Sequence, residues 1–296
     1  MKSLAFFVFF LGLFVSCGGE WTAADSTALS CRISDVPFTS AEQISLSADG
    51  EDLYILDRFN HVYVYGRNDA RTCAFELFRT PENSDGQIPV GQAEKIESVG
   101  SFLYYYDGIS LLRYDDDEFL CDVSLRQMAI TSSAIYYAPN SGLEKLKING
   151  TGCKKTQTSF AATRVMAMDA KAGMIATVET SGALTDPPQR LNIYSESGNL
   201  QVRRALAAGD KRNTLHFCSA TRIRFGAAYL ALLDAKCAYV GIFDLNGELI
   251  RRVDLTEEGI RGALDIDIAQ DELFILTSSS IHPIYYFDFA SLGMLD

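Results

Sequence analysis

One strand-like unit runs through this chain six times, and that period restricts it to a few repeat architectures. Leu53-Tyr54-Ile55-Leu56-Asp57 recurs as Leu103-Tyr104-Tyr105-Tyr106-Asp107 and as Ile135-Tyr136-Tyr137-Ala138-Pro139. It returns as Ile175-Ala176-Thr177-Val178-Glu179, Leu230-Ala231-Leu232-Leu233-Asp234 and Leu273-Phe274-Ile275-Leu276-Thr277. Steps between the last residues are 50, 32, 40, 55 and 43, which suits blades of four strands. An alternating segment precedes each unit, at 43–47, 95–99, 127–131, 164–168, 222–225 and 264–268. Another follows at 61–65, 110–114, 143–148, 190–194, 239–243 and 284–287. Period-two alternation over such lengths is the mark of half-buried strands. Asn149-Gly150, Ser197-Gly198 and Asn246-Gly247 then supply hairpin turns, with glycine accepting the positive φ. Fourth strands are expected at 74–78, 121–125, 154–159, 200–206 and 249–255.

The sixth unit has no fourth strand of its own, and residues 28–36 have no other assignment. Pairing that segment with the last blade closes the ring and removes two open sheet edges. The expected fold is therefore all-β: a single six-bladed β-propeller over 27–296, with the N-terminal strand completing the last blade. Residues 50–65, GEDLYILDRFNHVYVY, resemble the NHL repeat, whose blades carry a D-x-x-N-h-x-h-x-h/Y signature. The other five blades share hydrophobic pattern and turn chemistry rather than that motif. The whole chain after its leader is similar to six-bladed propeller lipoproteins of Gram-negative bacteria.

The N-terminus carries Lys2, an apolar run from Leu4 to Val15, then Ser16-Cys17-Gly18-Gly19. One cation, a dozen apolar residues and a small residue before a cut make an export signal. The run falls short of the ~20 residues a spanning helix needs. Phe14-Val15-Ser16-Cys17 resembles a lipobox, which implies removal of 1–16, lipidation of Cys17 and a tether over 17–26; an ordinary signal peptide is the alternative. Gly18 is not the Asp that retains lipoproteins at the inner membrane of enteric bacteria. The expected address is the outer membrane, facing periplasm or exterior. With 26 Lys+Arg against 38 Asp+Glu the net charge is −12, which argues against nucleic acid or an anionic lipid surface as partner.

Six cysteines remain beside Cys17, and an even number in an exported chain suggests disulfides. If the turn of the fifth blade is 226–228, Phe225 faces Tyr229 and Cys218 faces position 236, beside Cys237. A Cys218–Cys237 bridge is expected. Cys31, Cys73, Cys121 and Cys153 stand at or just before outer strands. Cys31–Cys73 and Cys121–Cys153 are one pairing, free thiols another, and the choice stays open.

Four second strands end on acids: Asp57, Asp107, Glu179 and Asp234. A ring of such carboxylates on one face suits a divalent cation such as Ca2+, because hard cations take several oxygens. Alternatively each acid accepts hydrogen bonds from the N–H groups of its own turn. Pro139 and Thr277 interrupt the ring. His61 and His282 fall in loops between second and third strands, on the same expected face as Phe59 and Asn60; His216 stands beside Phe217. No carboxylate stands at fixed spacing to either loop histidine. Inner strands offer Glu42, Glu97, Asp169, Asp265 and Asp267, but none of the Asn ligands of calcium-dependent propeller lactonases. Asp115-Asp116-Asp117-Glu118 lacks the spacing of an EF-hand loop and reads as an outer turn.

No catalytic residue is assigned. The expected function is a membrane-anchored, non-enzymatic binding module presenting one propeller face to an envelope protein, peptide or glycan. Phe59, Tyr105, Tyr106 and Tyr137 are its expected loop aromatics. A calcium-dependent hydrolase or lactonase is the alternative, and a structural part of an envelope assembly is a third possibility.

Overall fold

The computed structural model describes residues 28–294, apart from 35, 39, 70–72, 79–86, 89–91, 115–117, 140–141, 150–151, 172, 181–188 and 207–216. The signal segment with Cys17, His216 and Asp115 to Asp117 lie outside the described residues. The chain is a six-bladed β-propeller. Each blade is an antiparallel sheet laid down in chain order from an inner strand outward. The inner strands are Ala41–Leu46, Lys95–Val99, Gln127–Thr131, Arg164–Lys171, Arg222–Phe225 and Ala263–Ala269. Each contacts the next around the ring, and the sixth contacts the first.

The apolar runs that define the repeat become the second strands, Asp52–Asp57, Phe102–Tyr106, Ala134–Ala138, Met174–Thr180, Tyr229–Asp234 and Glu272–Thr277. Sheets stacked face to face leave a middle strand dry on both sides, so consecutive residues are buried rather than alternate ones. Outer strands such as Leu200–Ala205 meet solvent and revert to alternation. Six apolar clusters fill the six gaps between neighbouring blades. One joins Ile44, Ile55 and Phe75 of blade 1 to Phe274, Leu276 and Ile284 of blade 6, so the ring is closed by packing as well as by pairing.

The segment before blade 1 does more than complete blade 6. Leu29 and Ser30 pair antiparallel with Tyr286 and Tyr285 of the last blade. Arg32 and Ile33 then pair parallel with Ala74 and Phe75, the outer strand of blade 1. The segment thus straps both sides of the gap between the last blade and the first. Cys31, between the two pairings, is bridged to Cys73 with Cα atoms 4.6 Å apart. Arg67 of blade 1 adds a two-pronged ion pair to Glu272 of blade 6, at 2.7 and 2.8 Å.

The other bridges are Cys121–Cys153, joining the outer strands of blades 2 and 3, and Cys218–Cys237. In blade 5, Phe225 pairs with Leu230 rather than Tyr229. That one-residue shift places position 237, not 236, opposite 218. Two outer strands depart from expectation. That of blade 2 is Glu118–Asp122, which pairs irregularly at Leu111 and Leu112, and that of blade 3 is only Cys153–Lys155. A short strand, Gln87–Ile88, adds to the third strand of blade 1 at Val62 and Tyr63.

Candidate functional site

Antiparallel order puts every loop between second and third strands on one face of the ring, with the entries to the inner strands. The hairpins between first and second strands lie on the other face. The first face and the central channel it opens into carry most of the residues singled out by sequence.

At the loop corners the carboxylates turn into their own backbone. Asp57 Oδ1 accepts N–H bonds from Phe59 at 2.8 Å and His61 at 3.0 Å, while Asn60 takes φ of 66°. That left-handed conformation is one Asn tolerates better than most side chains, which explains the Asp-x-x-Asn spacing. Asp107 Oδ1 accepts from Ile109 and Ser110 at 2.9 and 2.7 Å. Buried Asp234 accepts from the N–H groups of Cys218, Ser219 and Cys237, tying both arms of that disulfide to one carboxylate. Glu179 is buried and takes Thr163, Thr177 and Tyr194. Burial opposes its charge, but hydrogen bonds from Asn192, Thr163, Thr177 and Tyr194 outweigh it and hold the carboxyl below the ordinary range. Thr277 replaces the acid in blade 6, its hydroxyl donating to His282 O at 3.0 Å and accepting from Ser279 N–H.

His61 is exposed, its Nδ1 3.7 Å from Asp57 Oδ2, and His282 is exposed beside Ser279. Phe59 is 53% exposed, with the Arg58 guanidinium 4.7 Å above its ring. The other expected loop aromatics stand in strands. Tyr105, only 4% exposed, packs in the core between blades 1 and 2. Tyr106 is buried with its hydroxyl on Gly108 O, and Tyr137 is half-buried against Glu144. Their runs are continuous second-strand cores, so these side chains fill gaps between blades. The apolar residues that do project with Phe59 are Ile109, 70% exposed, and Ile281, 79% exposed. They occupy the corresponding loops of blades 2 and 6, so three consecutive blades each offer one apolar tip. A lone apolar residue in each polar loop was the available signal.

The channel is a second assembly. Inner strands have one unpaired edge, and at three of the six junctions side chains of one blade cap N–H groups of the next. Asp265 and Asp267 accept from Ile44 and Leu46 at 3.0 and 2.7 Å, Gln43 and Ser45 from Ile96 and Ser98, and Asp169 from Phe225 at 2.6 Å. Arg224, 6% exposed, reaches across the axis from blade 5 toward blade 2, with Nη1 3.5 Å from Glu97 and Nε 3.4 Å from Asp267. Burial outweighs the guanidinium at Glu97 and pushes its carboxyl up to about 8, helped by Asp169 and Asp267 nearby. Burial likewise lifts Asp267 to about 7 and raises Asp169. Arg222 Nε lies 2.9 Å from Asp265 Oδ1. A cavity of about 40 Å3 opens above Arg224, lined by Gln43, Lys95, Glu97, Gln127 and Arg222 among others. Glu42, also an inner-strand acid, is exposed. Sequence named the channel acids but not the cations that meet them, because alternation does not say which blades face each other across the axis.

No family model and no curated protein matches this chain. Among solved structures it is similar to virginiamycin B lyase from Staphylococcus aureus, at 12% identity and TM-score 0.54, covering 88% of this chain and 98% of that one. Hsv2 from Kluyveromyces marxianus gives 9% and 0.51 over 81% and 70% of the two chains. U3-55K gives 10% and 0.51 over 82% and 79%. At such identities the likeness is one of fold alone.

Proposed function

We propose that this chain is an exported, lipid-anchored lipoprotein of the outer membrane that acts as a non-enzymatic binding module through one propeller face. The observation that carries the reading is the row of apolar tips Phe59, Ile109 and Ile281 on three consecutive blades. A rigid ring positions these loops, and exposed apolar side chains gathered on one face are the usual anchors of an interface. His61, Asn60, Asp107 and His282 supply polar neighbours on the same loops. The export signal and lipobox-like Phe14-Val15-Ser16-Cys17 support the address, and three disulfides suit an oxidising compartment. The partner is an envelope protein, peptide or glycan.

The test has two arms. Metabolic labelling with an alkyne palmitate should mark the wild-type chain and not Cys17→Ala, which should also leave the membrane fraction. A photo-crosslinking residue placed at 59, 109 or 281 should give discrete adducts in the intact envelope. The same residue at Phe102, exposed beside the hairpin on the opposite face, should give none. Equal adducts from both faces would sink the assignment of the binding face.

A further inference from the structure

The channel mouth holds cationic and amide groups whose hydrogen-bonding capacity is not fully used among the described residues. Lys95 lines the cavity and is half-buried, yet its ammonium has no hydrogen bond or ion pair among the described residues. Gln127, across the mouth, likewise has no side-chain hydrogen bond among the described residues. Arg224 also lines the cavity, and its buried Nε lies 3.4 Å from Asp267 without forming a hydrogen bond. A polar group without a partner near the interior is disfavoured, so such groups call for an explanation.

We propose that the mouth of the central channel is a binding site for a carboxylate group, held by Lys95, Arg222 and Arg224 with the Gln127 amide. The chemistry follows from charge and size. Three cations converge where Asp265 is committed to Arg222 and to the Ile44 N–H, Asp267 to Arg224 and to the Leu46 and Ile268 N–H groups, and Asp169 to the Phe225 and Ala170 N–H groups. Burial lifts the Glu97 carboxyl to about 8, which weakens it as a second repelling charge, and the group faces Arg224 at 3.5 Å. The remaining acids disfavour a dianion, so a monoanionic head is preferred over phosphate. A cavity of about 40 Å3 holds roughly the space of three waters, enough for a carboxylate but not for the body of a larger ligand. That body would lie outside, over the face that bears Phe59, Ile109 and Ile281.

The inference deepens the binding-module reading by naming the ligand's head group, and its test is separate from the crosslinking one. The probes are sodium acetate, acetamide as neutral isostere, and inorganic phosphate, each titrated into the purified full chain at constant ionic strength. Trialanine with a free or an amidated C-terminus distinguishes a peptide terminus from a small free acid. Acetate should raise the melting temperature saturably, by about 2–4 °C at tenfold its dissociation constant. Acetamide should do nothing, and phosphate should bind at least tenfold more weakly. Lys95→Met should weaken acetate at least tenfold; Gln127→Leu is the second variant should Lys95→Met fail to fold. Tighter binding of free than amidated trialanine would identify a peptide terminus as the source, and acetate binding without that preference a small acid. Equal responses to acetate and acetamide, or unchanged acetate affinity in a folded variant, would overturn the proposal while leaving crosslinking at 59, 109 and 281 to be judged alone.

Discussion

Removing the Cys31–Cys73 bridge tests whether the strap between blades 6 and 1 is what closes the ring. The two cysteines are 42 residues apart, and the chain-entropy relation puts the constraint at about 4 kcal/mol. The same relation gives about 3.7 kcal/mol for Cys121–Cys153 and about 3.3 for Cys218–Cys237, with separations of 32 and 19. Entropy alone therefore hardly separates the three, and location must. Cys31→Ala/Cys73→Ala is expected to cost about 2–4 kcal/mol in guanidinium unfolding. The seam-specific signature lies in hydrogen exchange. Amides of Cys31, Arg32 and Ser34, bonded to Ile284 O, Cys73 O and Phe75 O at 2.9, 2.7 and 3.0 Å, should lose protection. Amides of Ile44 and Leu46, held from the channel side by Asp265 and Asp267, should keep theirs. A loss below about 1 kcal/mol, or exchange that rises equally in all blades, would refute the reasoning.

Other expectations concern the channel and the corners. Glu97 near 8 and Asp267 near 7 stand above their ordinary 4.5 and 3.8, so the folded chain keeps protons that the unfolded chain releases. Their contribution is full below about pH 4 and is lost as pH rises through about 8, so Glu97→Gln should gain on wild type across that window in thermal melts. Arg224→Leu leaves buried acids uncompensated and should cost about 3–5 kcal/mol at pH 8, and clearly less at pH 5, where Glu97 and Asp267 hold protons. Asn60→Val should lose about 1–2 kcal/mol in denaturant titrations because φ is 66°, whereas Asn60→Gly should be near neutral. Asp57→Ala strands the Phe59 and His61 N–H groups and should cost about 1–3 kcal/mol, equally with calcium or with chelator.

What the sequence could state follows from the range of each signal. Second strands, their turns and the six-fold period are local, written in runs such as Leu53 to Asp57 and in turn pairs such as Asn246-Gly247, where Gly247 takes φ of 77°. They sufficed for the propeller, the number of blades and the need for an N-terminal closing strand. Tyr105, Tyr106 and Tyr137 lie within the second-strand runs 103–107 and 135–139 themselves, so they fill gaps between blades and do not serve as loop aromatics. The blade 5 register was off by one residue because pairing depends on which turn residue is left out.

The remaining features required residues distant in sequence to meet. Arg224 reaches Glu97 because blades 5 and 2 stand opposite each other, a fact of ring closure that no local window contains. The strap's division between Tyr286 and Ala74, and the Arg67–Glu272 pair, exist only because the two ends of the repeat array are neighbours in space. Hydrophobic period and turn chemistry, acting within a few residues, specify the blades. The channel's charge pairing and the locked seam arise with ring closure, because burial and Coulomb interactions act across space and not along the chain.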